Sequence, residues 1–202
     1  MYQCDARHTG KIKYNSVRRP TLARSYTFDN LTGDITVGTD GTIYVPVGWL
    51  FGSGFLYAID SDGNFKWSYQ FEGICSPGRS VPAIAWDGTV YVYTNGNYNV
   101  AGQERIYAIN PNGTLKWEYL EEVAAFVTDD LSSPVVASDG AIIYSSMNTA
   151  STRISSDGTY LSDLLDNYYN SIYSSPAMVY RDTVYIREDG AIKAYRSAGG
   201  LR

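Results

Sequence analysis

An eleven-residue phrase occurs twice without a gap. Tyr57-Ala58-Ile59-Asp60-Ser61-Asp62-Gly63-Asn64-Phe65-Lys66-Trp67 returns fifty positions later as Tyr107-Ala108-Ile109-Asn110-Pro111-Asn112-Gly113-Thr114-Leu115-Lys116-Trp117. A third copy, Arg153-Ile154-Ser155-Ser156-Asp157-Gly158-Thr159-Tyr160-Leu161, has lost the Lys-Trp, and a fourth opens at Lys193-Ala194-Tyr195-Arg196. At the other terminus, Tyr2-Gln3-Cys4-Asp5 through Ile12-Lys13-Tyr14 keeps the pattern, with Tyr14 in the tryptophan's place. Each copy can bury its apolar face only against a neighbouring copy, so the repetition limits the chain to a circular or stacked array.

A second unit alternates with the first. It reads Ser80-Val81-Pro82-Ala83-Ile84-Ala85-Trp86-Asp87-Gly88-Thr89-Val90-Tyr91 and again Ser132-Ser133-Pro134-Val135-Val136-Ala137-Ser138-Asp139-Gly140-Ala141-Ile142-Ile143-Tyr144, with looser versions at 34–47 and 174–188. Asp-Gly and Asn-Gly accept positive φ and predict two-residue hairpin turns. Two hairpins per period of roughly 40 to 50 residues make one four-stranded antiparallel blade of a β-propeller. Strand A opens at Ser-Pro, where a proline costs no ladder donor; B is the Tyr-Val stretch, C holds Tyr-Ala-Ile-Asp, and D ends in Lys-Trp.

The expected fold is therefore all-β: a single propeller over residues 1–202, with four to five blade units and incomplete terminal blades. The units fall at about 1–16 (partial), 30–70, 80–120, 132–165 and 174–202. Counted this way, the C–D segments outnumber the A–B hairpins, which leaves a strand edge to be managed. Three arrangements deal with it: residues 11–16 close the ring beside the last blade, a second molecule supplies the missing strands, or the chain is a segment of a longer parent.

The wording of the repeats resembles the PQQ-like (quinoprotein alcohol dehydrogenase-like) propeller family, which includes outer-membrane assembly lipoprotein scaffolds. Ala58, Asp60, Gly63, Lys66 and Trp67, echoed by Ala108, Gly113, Lys116 and Trp117, carry the resemblance over nearly the whole chain. It implies that Trp67 and Trp117 pack between blades and are structural. Quinoprotein dehydrogenases of that family use a larger propeller, a calcium ion, an acidic base and in several members a vicinal disulfide. This sequence has no Cys-Cys pair, so the resemblance implies a scaffold or sensor domain, and no cofactor is expected.

Composition sorts the remaining classes. A net charge of −5 argues against a nucleic-acid partner. No apolar run reaches the length of a membrane span. Arg18, Arg19 and Arg24 form a lone basic cluster that reads as a solvated loop or an anion grip. Cys4 and Cys75 are too few for a disulfide scaffold and read as free buried thiols or as one bridge. No hydrophobic signal-peptide core opens the chain. The best helix candidate, 161–169, reads equally well as a loop.

In a propeller the D–A and B–C connections share one end and the A–B and C–D turns the other. The turns are short, whereas the connections are long and varied, so function is expected at the connection end. The candidate ligand-binding residues there are Trp49, Phe51, Arg79, Tyr98, Tyr168 and Tyr169. The rings at Trp49 and Phe51 sit between glycines, where they either meet a partner or fold over the central channel as core. A catalytic triad or multi-histidine metal site cannot be assembled from a single histidine, His8. Glu121, Glu122, Asp129 and Asp130 on the 121–130 linker are the carboxylates that could serve glycoside hydrolysis. Asp60-Ser61-Asp62-Gly63-Asn64 spaces oxygens as calcium loops do, although a tight turn explains every copy without an ion.

These observations lead to a non-catalytic binding or scaffold propeller, with no metal, recognising a protein or glycan through the aromatic connection end. It is placed outside the cell or at the cell surface. The alternatives are a structural subunit that assembles as a homo-oligomer by exchanging terminal strands, and a polysaccharide-active enzyme or degenerate quinoprotein.

Overall fold

The computed structural model describes residues 22, 25–28, 33–48, 52–72, 80–94, 104–121, 132–145, 151–164, 175–179, 183–188 and 191–196. Every element among them is a β-strand. Blade 1 consists of β1 (Thr36–Val37), β2 (Ile43–Val47), β3 (Phe55–Ile59) and β4 (Phe65–Gln70); blade 2 of β5 (Ala83–Ile84), β6 (Val90–Thr94), β7 (Glu104–Ile109) and β8 (Leu115–Glu121). Blade 3 holds β9 (Val135–Val136), β10 (Ile142–Tyr144), β11 (Thr152–Ile154) and β12 (Tyr160–Asp163), and blade 4 holds β13 (Ala177–Val179), β14 (Thr183–Glu188) and β15 (Ala191–Arg196). Each sheet is an antiparallel meander in sequence order, and blade 4 has three strands among the described residues. The fold is thus an all-β propeller with an incomplete blade, as the repeats require. The N-terminal partial unit, the 11–16 strand, His8, the Arg18, Arg19 and Arg24 cluster, Cys4 and Cys75 lie outside the described residues.

The turns differ from expectation in one respect. Gly38 donates its N–H to the Thr42 carbonyl at 2.8 Å while Gly41 donates to Gly38 at 3.0 Å, so the loop contains three residues rather than two. The same pair of bonds recurs at 60–64, 85–89, 110–114, 137–141 and 155–159. In this loop a type I turn precedes one left-handed residue, and that residue is the glycine. Asp40 Oδ1 accepts from Thr42 N at 3.0 Å, as Asp87 does from Thr89 and Asp139 from Ala141. The aspartate therefore closes the turn and the glycine supplies its handedness.

A bulge at one position in each of blades 1 to 3 re-aims a side chain. Ala58 faces Trp67 but Ile59 faces Phe65, Ala108 faces Trp117 but Ile109 faces Leu115, and Arg153 faces Ser162 but Ile154 faces Tyr160. The skipped residues are Lys66, Lys116 and Leu161. Lys66 Nζ donates to Thr42 Oγ1 at 2.8 Å and lies 3.5 Å from Asp40; Lys116 Nζ sits 3.0 Å from both Thr89 Oγ1 and Asp87. Strand D is thereby tied across the sheet to the A–B turn. In blade 3, Leu161 and Ala141 stand at the lysine and threonine positions, and Arg153 on strand C reaches Asp139 instead. The Lys-Trp pair lies near the start of strand D, not at its end, because β4 and β8 run on to Gln70 and Glu121. Strand β12 also carries Leu161 to Asp163, so the helix candidate begins in a strand.

Alternation along the strands gives each blade two apolar faces. Tyr44, Leu56 and Ala58 of blade 1 pack on Ile84, Val90, Val92, Tyr107 and Ile109 of blade 2. Tyr91, Tyr93, Ile106 and Ala108 on the opposite face meet Ile142, Tyr144 and Ile154 of blade 3, whose Val135 and Ile143 meet Val184 and Ile186 of blade 4. Trp67 Nε1 donates to the Pro111 carbonyl of the next blade's C–D turn at 2.9 Å, and Trp117 Nε1 donates to Ser156 of the following one at 2.9 Å. The rings lie flush on glycines: a Cβ on Gly113 would stand 2.7 Å from Trp67, and one on Gly158 would stand 2.9 Å from Trp117.

Hydroxyls stitch the inner ends together, where the A strands of blades 2, 3 and 4 lie side by side. Thr36 Oγ1 donates to the Pro82 carbonyl at 2.7 Å, Val81 N to Ser133 Oγ at 3.0 Å, and Ser133 N to Ser175 Oγ at 2.8 Å. Ser133 and Ser175, which directly precede Pro134 and Pro176, thus each satisfy a backbone donor of the preceding blade.

Substituting Gly113 and Gly140 by alanine separates turn strain from blade docking. Both have positive φ, 87° and 84°, and a left-handed alanine costs about 1–2 kcal/mol. Only at Gly113 does the new methyl also strike a tryptophan ring, which adds an overpacking cost of about 1–3 kcal/mol. Thermal unfolding is expected to show the larger loss for Gly113→Ala; equal losses would mean that the ring contact contributes nothing.

Candidate functional site

Because the sheets are meanders, the six glycine turns share one end of the molecule and the B–C and D–A connections share the other. At the turn end the polar side chains are engaged by the turns themselves. Asp60 accepts from Asn64 N at 2.7 Å and from its Nδ2 at 2.9 Å, Asn112 Oδ1 accepts from Thr114 N at 3.1 Å, and Asp157 Oδ1 from Thr159 N at 3.1 Å. These bonds have an electrostatic signature. Bonds from the side chain and then the backbone of Asn64 hold the Asp60 carboxyl below its ordinary pKa; at Asp40 the Thr42 hydroxyl does the same, followed by its N–H and with Lys66 adding. The Tyr91 hydroxyl behind the Asp87 turn is pushed up to about 12, by burial first and then by the carboxylate's charge. The calcium-like spacing at 60–64 is thus the pattern of a closed turn.

The connection end varies from blade to blade. The B–C connections occupy residues 48–54, 95–103, 145–151 and 189–190, and the D–A connections 71–82, 122–134 and 164–176. Trp49, Phe51, Arg79, Tyr98, Tyr168 and Tyr169 all belong to these connections, and all lie outside the described residues. The structure does define the strand ends from which those connections spring, and they differ sharply between blade junctions.

Between blades 1 and 2 the floor is aromatic. Phe71 and Tyr107 have ring centroids 4.9 Å apart, and Tyr69 packs against both. Between blades 2 and 3 it is acidic. Glu104 opens β7 and Glu121 closes β8, and the two are direct cross-strand partners. Both are buried, Glu104 with only 1% exposure. The Tyr93 hydroxyl donates to Glu104 and the Tyr144 hydroxyl to Glu121, with the two tyrosine rings 4.8 Å apart. Glu104 is in phase with Ile106 and Ala108, and Glu121 with Trp117 and Tyr119, so both point into the junction. A buried carboxylate is tolerated where hydrogen bonds replace its water, and the tyrosine hydroxyls supply such bonds.

Chemically, this cluster is a pair of acceptors on the outer strands C and D, away from the inner A strands. Among the described residues no group of three or more His, Cys, Asp or Glu is arranged to hold a metal. The sequence reading placed Glu121 on a linker with Glu122, Asp129 and Asp130; it is instead the last residue of β8, and the other three lie outside the described residues. Glu104 was missed altogether. The available signal was its place two residues ahead of Ile106 on a strand whose alternate positions are buried.

The fold and its junctions thus define a propeller of antiparallel, four-stranded blades. The family model for outer membrane protein assembly factor BamB matches residues 8–188, and the protein is a member of that family. No curated protein matches it in sequence. Among solved structures, BamB from Moraxella catarrhalis superposes with a TM-score of 0.63 at 18% identity, covering 84% of this chain and 51% of that one. A protein of unknown function from Bacteroides caccae gives 0.57 at 13% identity, covering 82% and 60%. The quinohemoprotein alcohol dehydrogenase ADHIIG from Pseudomonas putida HK5 gives 0.54 at 18% identity, covering 81% and 29%. The chain thus spans 60% or less of each of these proteins. At such identities the likeness concerns the fold.

The buried cluster makes a stability prediction. Tyr144→Phe removes a hydroxyl from a buried carboxylate, and leaving such a group short of a donor costs about 1–3 kcal/mol. Chemical denaturation should show that loss with an unchanged m-value; wild-type stability would show that the Tyr144–Glu121 contact does not hold the junction.

Proposed function

We propose that this protein is a non-catalytic binding or scaffold propeller of the cell envelope. It engages a protein through the connection end, with Trp49, Phe51, Tyr98, Tyr168 and Tyr169 as aromatic contacts and Arg79 as a polar one. The observation that carries this reading is the division between the two ends. Asp40, Asp60, Asp87, Asn112, Asp139 and Asp157 at the turn end bond within their own turns, whereas most connections at the other end are longer, and they differ in length and sequence from blade to blade. Aromatic side chains are the residues that concentrate binding energy at protein interfaces, and they also stack on sugars, so a glycan is the competing ligand class.

Two observations support a non-catalytic role. The only histidine is His8, and the buried acid pair sits on outer strands with a tyrosine hydroxyl on each carboxylate. Membership of a family named for outer membrane protein assembly supports a protein partner in the envelope.

The test is binding of wild type and Trp49→Ala to two probes, an unfolded outer membrane β-barrel protein and an array of bacterial glycans. The expected result is binding to the protein probe that Trp49→Ala weakens at least about tenfold, the loss of one buried anchor, with melting temperature nearly unchanged. Melting that drops with the substitution would make Trp49 core, and binding confined to glycans would overturn the choice of partner.

A further inference from the structure

Asparagine followed by glycine is the pair in which a side-chain amide is lost most readily, because no side chain shields the glycine nitrogen. The sequence holds two such steps, Asn95-Gly96 and Asn112-Gly113, and the second lies among the described residues. Asn112 is exposed in the C–D turn of blade 2. Water reaches it freely, so only conformation can protect it. The reaction joins Gly113 N, which gives up its proton, to Asn112 Cγ. The Cγ–Nδ2 bond breaks, and the amide nitrogen takes a proton and leaves as ammonia, closing a succinimide ring. Water then adds to either ring carbonyl and the C–N bond at that carbonyl opens, which yields aspartate or isoaspartate.

The folded turn keeps the reacting atoms apart. Gly113 N donates to the Asn110 carbonyl at 2.9 Å, and Thr114 N and Oγ1 hold Asn112 Oδ1 forward at 3.1 and 2.7 Å. Asn112 precedes the left-handed glycine of a type I turn and so has ψ of about 0°. Ring closure needs Gly113 N swung by about a third of a turn, onto the side of Cβ. That swing breaks the Gly113–Asn110 bond. It also moves Gly113 from beneath Trp67, whose ring would stand 2.7 Å from a Cβ there and whose Nε1 holds the Pro111 carbonyl at 2.9 Å.

We propose that Asn112 is a deamidation site gated by the junction of blades 1 and 2: it reacts when Trp67 leaves Gly113, and the isoaspartate then formed keeps the two blades from docking again. The two products differ in their effect. Aspartate fits the turn, because Asp62 and Asp157 stand at the same position in blades 1 and 3, and Asp157 Oδ1 accepts from Thr159 N at 3.1 Å as Asn112 does from Thr114. Isoaspartate does not fit. It routes the main chain through the side-chain carbon, lengthens the turn and displaces Gly113 from the ring. An opening of this one junction is thereby recorded as a permanent covalent change. The site lies at the turn end, so its fate does not decide the partner-binding reading.

The experiment is peptide mapping by mass spectrometry, which separates Asn112 from Asn95, after timed incubation at mildly alkaline pH, with isoaspartate counted by enzymatic methylation. The samples are wild type in buffer, wild type unfolded in urea, Trp67→Ala and Trp117→Ala; the last loosens the next junction and controls for lost stability. Asn112 is expected to react readily in urea, many-fold more slowly in folded wild type, and several-fold faster in Trp67→Ala than in Trp117→Ala. Circular dichroism checks that the variants fold, and Trp67→Phe, which loses the indole N–H but keeps a ring, replaces Trp67→Ala if that variant does not. Asn112→Asp should melt with wild type, whereas aged protein rich in isoaspartate at 112 should melt lower. Equal rates in folded and unfolded wild type, or equal rates in the two tryptophan variants, would overturn the gating. An isoaspartate fraction that melts like wild type would overturn the loss of docking.

Discussion

The junctions between blades 1 and 2 and between blades 2 and 3 rest on one contact: a tryptophan near the start of strand D laid on the glycine of the next blade's turn. Trp67 on Gly113 and Trp117 on Gly158 each combine a ring-on-backbone packing with an indole N–H to a carbonyl of the same turn. Only glycine allows that approach, and the turn needs glycine anyway for its left-handed φ. One residue type thus meets two demands at once, and this explains why the repeat joins Asp-Gly or Asn-Gly to Lys-Trp. Lys66 and Lys116, displaced by the bulge, tie the same strand back to its own blade's A–B turn. Exposed ion pairs of this kind contribute little individually, so their main effect is to fix where strand D, and with it the tryptophan, sits.

The dependence is visible where the pattern lapses. Blade 3 has Ser162 at the tryptophan position and Leu161 at the lysine position, and it keeps the turn clasp by moving the cation to Arg153 on the neighbouring strand. Its contact with blade 4 relies instead on aliphatic packing around Ile143, Val184 and Ile186 and on Ser175 holding the Ser133 N–H. The connection end is free of these duties. There the junction floors diverge, aromatic under one gap and acidic under the next, while the sheets beneath keep the same register.

The fold was largely legible because a repeat repeats its contacts. The phrase at 57–67 and its copy at 107–117 identified the C and D strands, and the Ser-Pro starts identified strand A. Loop length was not legible: Asp-Gly suits both a two-residue turn and a three-residue turn with a left-handed glycine, and the choice depends on which carbonyl the Gly38 N–H reaches. Glu104 escaped because an acid at the mouth of a strand reads as solvated until Tyr93 from the adjacent strand is seen to cover it. The candidate binding residues belong to connections whose sequences have no counterpart in the other blades, so repeat logic has nothing to say about their positions.

The central claim is that tryptophan and glycine act as a unit across the junction, and a double-mutant cycle addresses it directly. The unfolding free energies of wild type, Trp67→Ala, Gly113→Ala and the double variant would be compared. If the ring on the glycine holds blade 1 to blade 2, Gly113→Ala should cost clearly less once Trp67 is gone, falling to the strain of the left-handed turn alone. The same cost with and without the ring would contradict the docking contact as the basis of that junction.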